Sequence, residues 1–203
     1  MVAVSCKDLG KQYQYRWVLK RFTYSFRAGG HYVIAGKNGS GKSTLIRMLS
    51  AYLTPSAGII QWSKDGQPID TDQVYLHTSI TGPYMEVPEE FTFPELIALH
   101  RQFKGMPVGL RTRDILDLSG LEPFANKPVK YFSSGMKQRV KLCLALITGN
   151  DLLLLDEPCS NLDADSRQWY RQMLETHGKG KTIIVASNHQ EEEYPANHTR
   201  IDI

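Results

Sequence analysis

Cysteine is scarce in this sequence, and neither sign of charge dominates it. Three cysteines among 203 residues cannot build a closed disulfide framework, which is typical of a protein in a reducing compartment. The net charge is +3, from 24 Lys and Arg against 21 Asp and Glu, whereas nucleic-acid-binding proteins usually carry a strong, clustered basic excess. We therefore expect no nucleic-acid partner.

Long apolar runs are missing as well. The longest stretch without Asp, Glu, Lys or Arg covers residues 48–63, and Pro55 and Gly58 interrupt it, whereas a membrane-spanning helix needs about 20 apolar residues. The first thirty residues contain no apolar segment of the kind found in secretory signals. These absences predict a cytoplasmic protein that does not itself span a membrane. Its 41% hydrophobic residues are enough for a folded core.

Segments with strand character alternate with segments of helical periodicity. Strand patterns fall at residues 2–6, 18–26, 31–35, 59–62, 152–155 and 182–186, and helical patterns at 45–53, 93–103, 112–118, 135–148 and 166–176. This order predicts a mostly parallel sheet flanked by helices, with antiparallel strands at the N-terminus. We expect one domain, 1–203, with an α/β core (1–76 and 150–203) and an inserted, mostly helical subdomain (77–149).

A glycine-rich turn follows the third strand pattern. Its residues match the phosphate-loop pattern G-x-x-x-x-G-K-[ST], which predicts a P-loop NTPase core. Glycines let the backbone N–H groups converge on a polyphosphate, and the next helix adds the positive end of its dipole. We expect Lys42 at the β- and γ-phosphates and the Ser43 hydroxyl on Mg²⁺. The predicted nucleotide-binding residues are Gly36, Lys37, Asn38, Gly39, Ser40, Gly41, Lys42, Ser43 and Thr44.

Two acids follow the most apolar strand pattern. Residues 152–155 are four leucines, and Asp156 and Glu157 come directly after them. Ligands of an open α/β sheet bind beyond the carboxyl ends of its strands. We expect Asp156 to hold Mg²⁺, directly or through water, and Glu157 to deprotonate a water that attacks the γ-phosphate. The second acid favours ATP hydrolysis over the chemistry of a GTPase or a small P-loop kinase.

Residues 132–139, Phe-Ser-Ser-Gly-Met-Lys-Gln-Arg, resemble the L-S-G-G-Q signature of ATP-binding cassette (ABC) ATPases, the nucleotide-binding subunits of transporters. The resemblance implies that Ser133 and Gly135 lie at a helix N-terminus and face the γ-phosphate bound by the other subunit of a head-to-tail dimer. A helix start with a free hydroxyl is a suitable anion site. Residues 160–163, Ser-Asn-Leu-Asp, resemble the family's loop that crosses the dimer interface.

The resemblance assigns two more residues to the site. His189 resembles the switch histidine that contacts the γ-phosphate, and it would act with Lys42 and Glu157 in catalysis. Tyr13 matches the aromatic residue that stacks on adenine, with Tyr15 and Trp17 as nearby alternatives.

The chain also departs from the family pattern. The family usually has a glutamine at the end of the strand that follows the first βαβ region, whereas residues 74–79 read Val-Tyr-Leu-His-Thr-Ser. Thr78 occupies the position that corresponds to this glutamine, and we expect its hydroxyl to contact Mg²⁺ or its water. In the signature, Ser134 and Met136 replace the first glycine and the glutamine. Because Ser133 and Gly135 remain, we expect activity to survive.

The resemblance implies ATP hydrolysis, with Mg²⁺, that drives transport through a separate integral membrane permease. The chain would form a homodimer, or a heterodimer with a related subunit, at the inner face of the cell membrane. Residues 80–95 lie where the family contacts its permease, and Tyr84, Met85 and Phe91 are either contact residues or core. The alternative is a non-transport ABC ATPase acting on nucleic acid or the ribosome. Such relatives usually have long heptad insertions or two tandem cassettes, and neither occurs in this sequence.

Overall fold

A computed structural model describes residues 1–188 and 193–203, in which strands and helices alternate along the chain. In chain order the described elements are β1 (Val2–Tyr13), β2 (Arg16–Phe26), β3 (His31–Ala35), α1 (Lys42–Leu49), β4 (Ala57–Lys64), β5 (Gln67–Ile69), α2 (Val74–His77), β6 (Thr78–Thr81), α3 (Phe93–Phe103), α4 (Thr112–Ser119), α5 (Ser134–Ile147), β7 (Leu152–Asp156), α6 (Ala164–His177), β8 (Thr182–Ser187) and β9 (Thr199–Asp202). None of the helices in this part of the chain combines the length and hydrophobicity that crossing a bilayer requires.

The larger sheet is parallel, and its strand order is β6-β7-β8-β3-β9. The interior strand β7 is buried along its whole length, as expected for a strand covered on both faces. The register pairs Thr81 with Leu155, Asp156 with Ala186 and Ala35 with Ser187. The carboxyl ends of β3, β6, β7 and β8 therefore meet at one edge, and the predicted α/β core is confirmed.

Side chains along β7 and β8 point alternately to the two faces of this sheet, and a separate hydrophobic cluster covers each face. Leu153 and Leu155 pack with the helices α3 to α6 on one face. Leu152 and Leu154 pack with α1 and the N-terminal strands on the other. Because successive side chains of a strand point to opposite faces, the single run of leucines joins both hydrophobic clusters.

The smaller sheet is antiparallel, with the order β2-β1-β4-β5. This confirms the expected antiparallel strands at the N-terminus. The β1–β2 hairpin lies against the phosphate loop, since a Cβ on Gly41 would be 3.0 Å from the Val18 carbonyl oxygen.

Three helices, α3 to α5, lie between β6 and β7, where the helical subdomain is predicted. A capping box begins α3: the Thr92 hydroxyl accepts from the Glu95 N–H, and the Glu95 carboxylate accepts from the Thr92 N–H. Two boundaries need correction. Residues 74–77 form the short helix α2 rather than the end of a strand, and β6 is a strand of the parallel sheet, so that the core includes residues up to Thr81.

Candidate nucleotide-binding site

The phosphate loop connects β3 to α1 at the edge where the parallel strands end. Gly39 and Gly41 have φ values of +83° and +106°, a region that L side chains rarely adopt. A Cβ on Gly36 would lie 2.6 Å from the Ser40 hydroxyl oxygen, so the loop has no room for a side chain there. The two glycines of the pattern, Gly36 and Gly41, and the additional Gly39 are thus all favoured by the backbone of this loop.

Lys42 begins α1 and turns its side chain back into the loop. Its Nζ donates to the carbonyl oxygens of Gly36, at 2.8 Å, and Lys37, at 3.1 Å. The residue is only 4% exposed. The loop therefore holds a nearly buried positive charge, which can exchange a carbonyl partner for a phosphate oxygen without moving far.

Asp156, the last residue of β7, is almost fully buried. Burial raises the pKa of its carboxyl above the ordinary value; the Ser43 hydroxyl opposes this rise and the charge of Glu157 adds to it. Neither carboxylate oxygen accepts a hydrogen bond with good geometry from the described residues. Buried polar atoms are nearly always paired with protein or water. Two free carboxylate oxygens beside a serine hydroxyl form the kind of oxygen-rich site that Mg²⁺ prefers, so the residues fit this ion.

Glu157 leaves the strand with a φ of +45°, an uncommon value for a residue with a side chain. Its backbone N–H donates to the Ala186 carbonyl oxygen at 2.9 Å. Its carboxylate accepts from the Asn188 amide at 2.5 Å and from the Ser160 hydroxyl at 3.4 Å. The carboxylate is therefore fixed by groups that follow two neighbouring parallel strands.

A cavity of about 270 Å³ opens between these groups. Glu157 faces it from β7, and the phosphate loop and the start of α1 face it from the other side. Its lining consists of Val18, Asn38, Gly39, Gly41, Lys42, Ser43, Thr44 and Glu157. A cavity of this size is small for a whole nucleotide, because ligand pockets usually measure about 300–1,000 Å³. Its size therefore suits only the phosphate part of a nucleotide, and Val18 of the β1–β2 hairpin is part of its lining.

The hairpin presents three aromatic side chains near this cavity. Tyr13, at the end of β1, is 44% exposed, and the Lys11 Nζ lies 5.5 Å from its ring centroid. Trp17 is 39% exposed and Tyr15 is 97% exposed. The exposed face of Tyr13 leaves it available for stacking on a base, and its assignment over Tyr15 and Trp17 stays a prediction.

The signature residues begin α5, outside the lining of the phosphate cavity. Ser133 is the N-cap, and its hydroxyl accepts from the Met136 N–H at 3.2 Å. It is exposed, so the N-terminus of α5 is accessible to solvent. A Cβ on Gly135 would lie 3.2 Å from the Asn161 carbonyl oxygen, which brings the signature next to residues 160–163.

The structure separates Thr78 from the other predicted metal ligands. Thr78 is the first residue of β6 and pairs with Leu152, whereas Asp156 ends the neighbouring strand. Four residues of strand, about 13 Å, lie between these levels of the sheet. The expectation that the Thr78 hydroxyl contacts Mg²⁺ is thereby corrected. His189 lies outside the described residues, and its role stays a prediction.

Three residues that the sequence analysis did not single out hold this region in place. Asn188 binds Glu157, as described above. The buried Gln138 of α5 donates to the Pro158 carbonyl oxygen at 2.9 Å. The buried Glu193 accepts from the Cys159 N–H at 3.2 Å. Asn188 could have been found, because it directly follows a strand that ends at the site; the other two carry no local signal.

A family model described as ABC transporter matches residues 19–160 of this sequence, which include the phosphate loop, the signature and both acids after β7. The chain belongs to this family. The resemblance seen in the sequence is thereby confirmed.

The chain is also similar to curated ABC proteins. It is 32% identical over 195 residues to the uncharacterized ABC transporter ATP-binding protein YcbN of Bacillus subtilis, covering 91% of this chain and 61% of that protein. It is 28% identical to the Nod factor export ATP-binding protein I of Ralstonia nicotianae, covering 93% and 60%. The chain thus spans about three fifths of the length of these relatives.

Solved structures of ABC proteins share the fold. One, an ATP-binding subunit of an ABC transporter, is 26% identical, with a TM-score of 0.78 and coverage of 92% of this chain and 79% of that one. The dimeric structure of a bacterial ABC transporter cassette is 23% identical, with a TM-score of 0.77 and coverage of 94% and 90%. The fold class predicted from the sequence is therefore confirmed.

Proposed function

We propose that this chain binds Mg²⁺-ATP and hydrolyses it as the ATP-binding subunit of a transporter. The observation that carries the proposal is the convergence of Lys42, Ser43 and Glu157 on one cavity, with the unpaired Asp156 carboxylate beside Ser43. Family membership supports the same conclusion.

In this proposal the phosphate loop binds the polyphosphate. Loop N–H groups and the start of α1 contact the phosphate oxygens, and Lys42 neutralises charge on the β- and γ-phosphates. Ser43 and Asp156 hold Mg²⁺, which supplies positive charge to the phosphates when it is bound. The exposed ring of Tyr13 stacks on the adenine.

Glu157 acts as the general base. Its carboxylate faces the phosphate cavity and takes a proton from a water as that water attacks the γ-phosphate. The Asn188 amide holds one carboxylate oxygen and the Ser160 hydroxyl contacts the other at 3.4 Å, and the two together fix the orientation of the carboxylate. His189 would contact the γ-phosphate as a further catalytic group.

A second copy of the chain, or a related subunit, completes the site. The exposed N-terminus of α5, with Ser133 and Gly135, has no acidic residue in its first turn and suits an anion, so we place it over the γ-phosphate of the partner. The dimeric cassette of similar fold supports this arrangement.

A membrane permease is the proposed second partner, which puts the subunit at the inner face of the cell membrane. Phe91 is 41% exposed on the loop after β6, and Met85 lines a groove of about 290 Å³ with Lys104 and Lys141. We place the permease contact at this loop and groove. Tyr84, in contrast, turns inward to Arg47.

Isolation of the chain from native membranes tests the proposed partner. An integral membrane protein should be recovered with the chain, whereas recovery of ribosomes would favour the alternative function.

Substitutions of Glu157 and Lys42 separate ATP binding from ATP hydrolysis. Glu157→Gln should reduce the hydrolysis rate at least about a hundredfold while ATP stays bound, because an amide keeps the shape but cannot take the proton. Lys42→Ala should instead weaken ATP binding itself. The measurements are phosphate release and equilibrium binding of labelled ATP.

Glu175→Gln, the same change at an exposed position on α6, is the matched control and should leave both quantities unchanged. Turnover by Glu157→Gln within a few-fold of the parent protein would show that Glu157 is not the base. Unchanged ATP affinity in Lys42→Ala would contradict the phosphate-loop assignment.

A further inference from the structure

The segment that follows β6 passes directly beside Asp156. Thr81 pairs with Leu155, so the next residue, Gly82, lies at the level of Asp156. A Cβ on Gly82 would be 3.0 Å from the Asp156 Cβ and 3.1 Å from the ring of Tyr84. A side chain at position 82 would crowd both groups, so this glycine allows the close approach of Tyr84 to the acid.

The ring of Tyr84 is held against α1. The Arg47 guanidinium carbon lies 3.7 Å from the ring centroid, a close cation–π contact. Arg47 is four residues after Ser43 on the same helix, so both side chains lie on one face of α1. Tyr84 thus lies between the helix face that carries Ser43 and the strand end that carries Asp156.

The Tyr84 hydroxyl is buried and makes no hydrogen bond of good geometry within the described part of the chain. Burial raises the pKa of Tyr84 and the negative charge of Asp156 raises it further, whereas the neighbouring Arg47 opposes the rise; the phenol therefore lies in the field of both groups. Both Asp156 oxygens are unpaired as well. Three buried oxygens without partners, on two neighbouring side chains, indicate that water or an ion belongs between them.

We propose that Tyr84 is a positioning residue for the Mg²⁺ site, whose hydroxyl holds a water beside the Asp156 carboxylate. The inference rests on the proposed function, since it concerns the same metal site. It assigns to the segment after β6 the contact that the sequence analysis placed at Thr78. A phenol can donate one hydrogen bond and accept another, so it can orient a water toward a carboxylate.

The test compares Tyr84→Phe with the parent chain, using Mn²⁺ as the probe. Phenylalanine keeps the ring on Arg47 and removes only the hydroxyl. At saturating ADP, Mn²⁺ binding measured by electron paramagnetic resonance should weaken about three- to tenfold, the range of one hydrogen bond. ADP affinity in EDTA should stay within about twofold, because the hydroxyl does not face the phosphate cavity. Tyr75→Phe, in the short helix α2 that precedes β6, is the control and should bind Mn²⁺ like the parent.

Equal Mn²⁺ affinity in Tyr84→Phe and the parent would overturn the inference and leave Tyr84 with a packing role. If the parent itself binds ADP no better with Mn²⁺ than without it, the proposed function fails together with the inference. Should Tyr84→Phe not fold, Tyr84→Gln and Tyr84→Leu replace it. The glutamine variant, which keeps a hydrogen-bonding group, should bind Mn²⁺ more tightly than the leucine variant, and the reverse order would overturn the inference.

Discussion

The loop after β7 is held at the residue scale by a buried acid from a distant part of the chain. Glu193 accepts from the Cys159 N–H, and the Tyr170 hydroxyl donates to the Glu193 carbonyl oxygen at 2.6 Å. Burial raises the pKa of the Glu193 carboxyl to about 7; hydrogen bonds from Ser187 and Cys159 oppose the rise. This residue ties the loop that carries Glu157 to α6.

The raised pKa of Glu193 makes stability depend on pH. The unfolded chain loses this proton near pH 4.5 and the folded chain only near pH 7, so the folded state holds more protons between these values. Stability must therefore fall as pH rises through this window and level off above it. Relative to Glu193→Gln, the parent should lose about 2–3 kcal/mol between pH 5 and pH 8.

Urea unfolding of both proteins at several pH values measures this difference. The exposed Glu175→Gln serves again as the control, and its stability should follow that of the parent at every pH. Parallel curves for Glu193→Gln and the parent would mean that Glu193 titrates normally in the folded protein.

At the scale of single elements, the start of α5 combines a structural cap with the proposed contact to the partner's ATP. Ser133→Ala removes the cap and should cost about 1 kcal/mol of stability. Ser133→Asp keeps a good cap but places a negative charge where a γ-phosphate would lie. We expect the aspartate variant to melt at the parent's temperature and yet to lose ATP-dependent dimerisation. Thermal melts and size-exclusion chromatography, in a Glu157→Gln background, measure the two effects.

An aspartate variant that still dimerises with ATP would restrict Ser133 to capping the helix. The alanine variant supplies the comparison, because it loses stability without adding a charge.

The elements also differ in how well the sequence predicts them. The phosphate loop and β7 are recognisable because each is one contiguous pattern: glycines at fixed spacing, and an apolar run that ends in acids. Residues 74–81 are harder to interpret, because a four-residue helix covers about one period of the helical pattern and a four-residue strand only two periods of the strand pattern. The error at Thr78 follows directly from this. The contact between Arg47 and Tyr84 joins distant segments, so no local pattern could reveal it.

At the scale of the whole molecule, one chain contains both halves of the proposed site but does not bring them together. The phosphate cavity is lined by β2, the phosphate loop, α1 and Glu157, and the exposed Ser133 lies outside that lining. Two chains related by a two-fold axis would each supply one half to the other, giving two equivalent sites. Without ATP we expect a monomer, since the facing surfaces meet through the nucleotide.

Mixing two damaged chains tests this arrangement. In a Glu157→Gln background, one variant carries Lys42→Ala and the other Ser133→Arg, so either homodimer has two damaged sites. A mixed dimer collects both lesions in one site and leaves the other intact, because each site takes Lys42 from one chain and Ser133 from its partner. Mixing should therefore restore trapping of about one ATP per dimer, measured with labelled ATP after size-exclusion chromatography. If Glu157→Gln alone traps ATP as a dimer but the mixture traps none, the site is not shared between chains. If Glu157→Gln alone stays monomeric with ATP, the partner is a related subunit rather than a second copy.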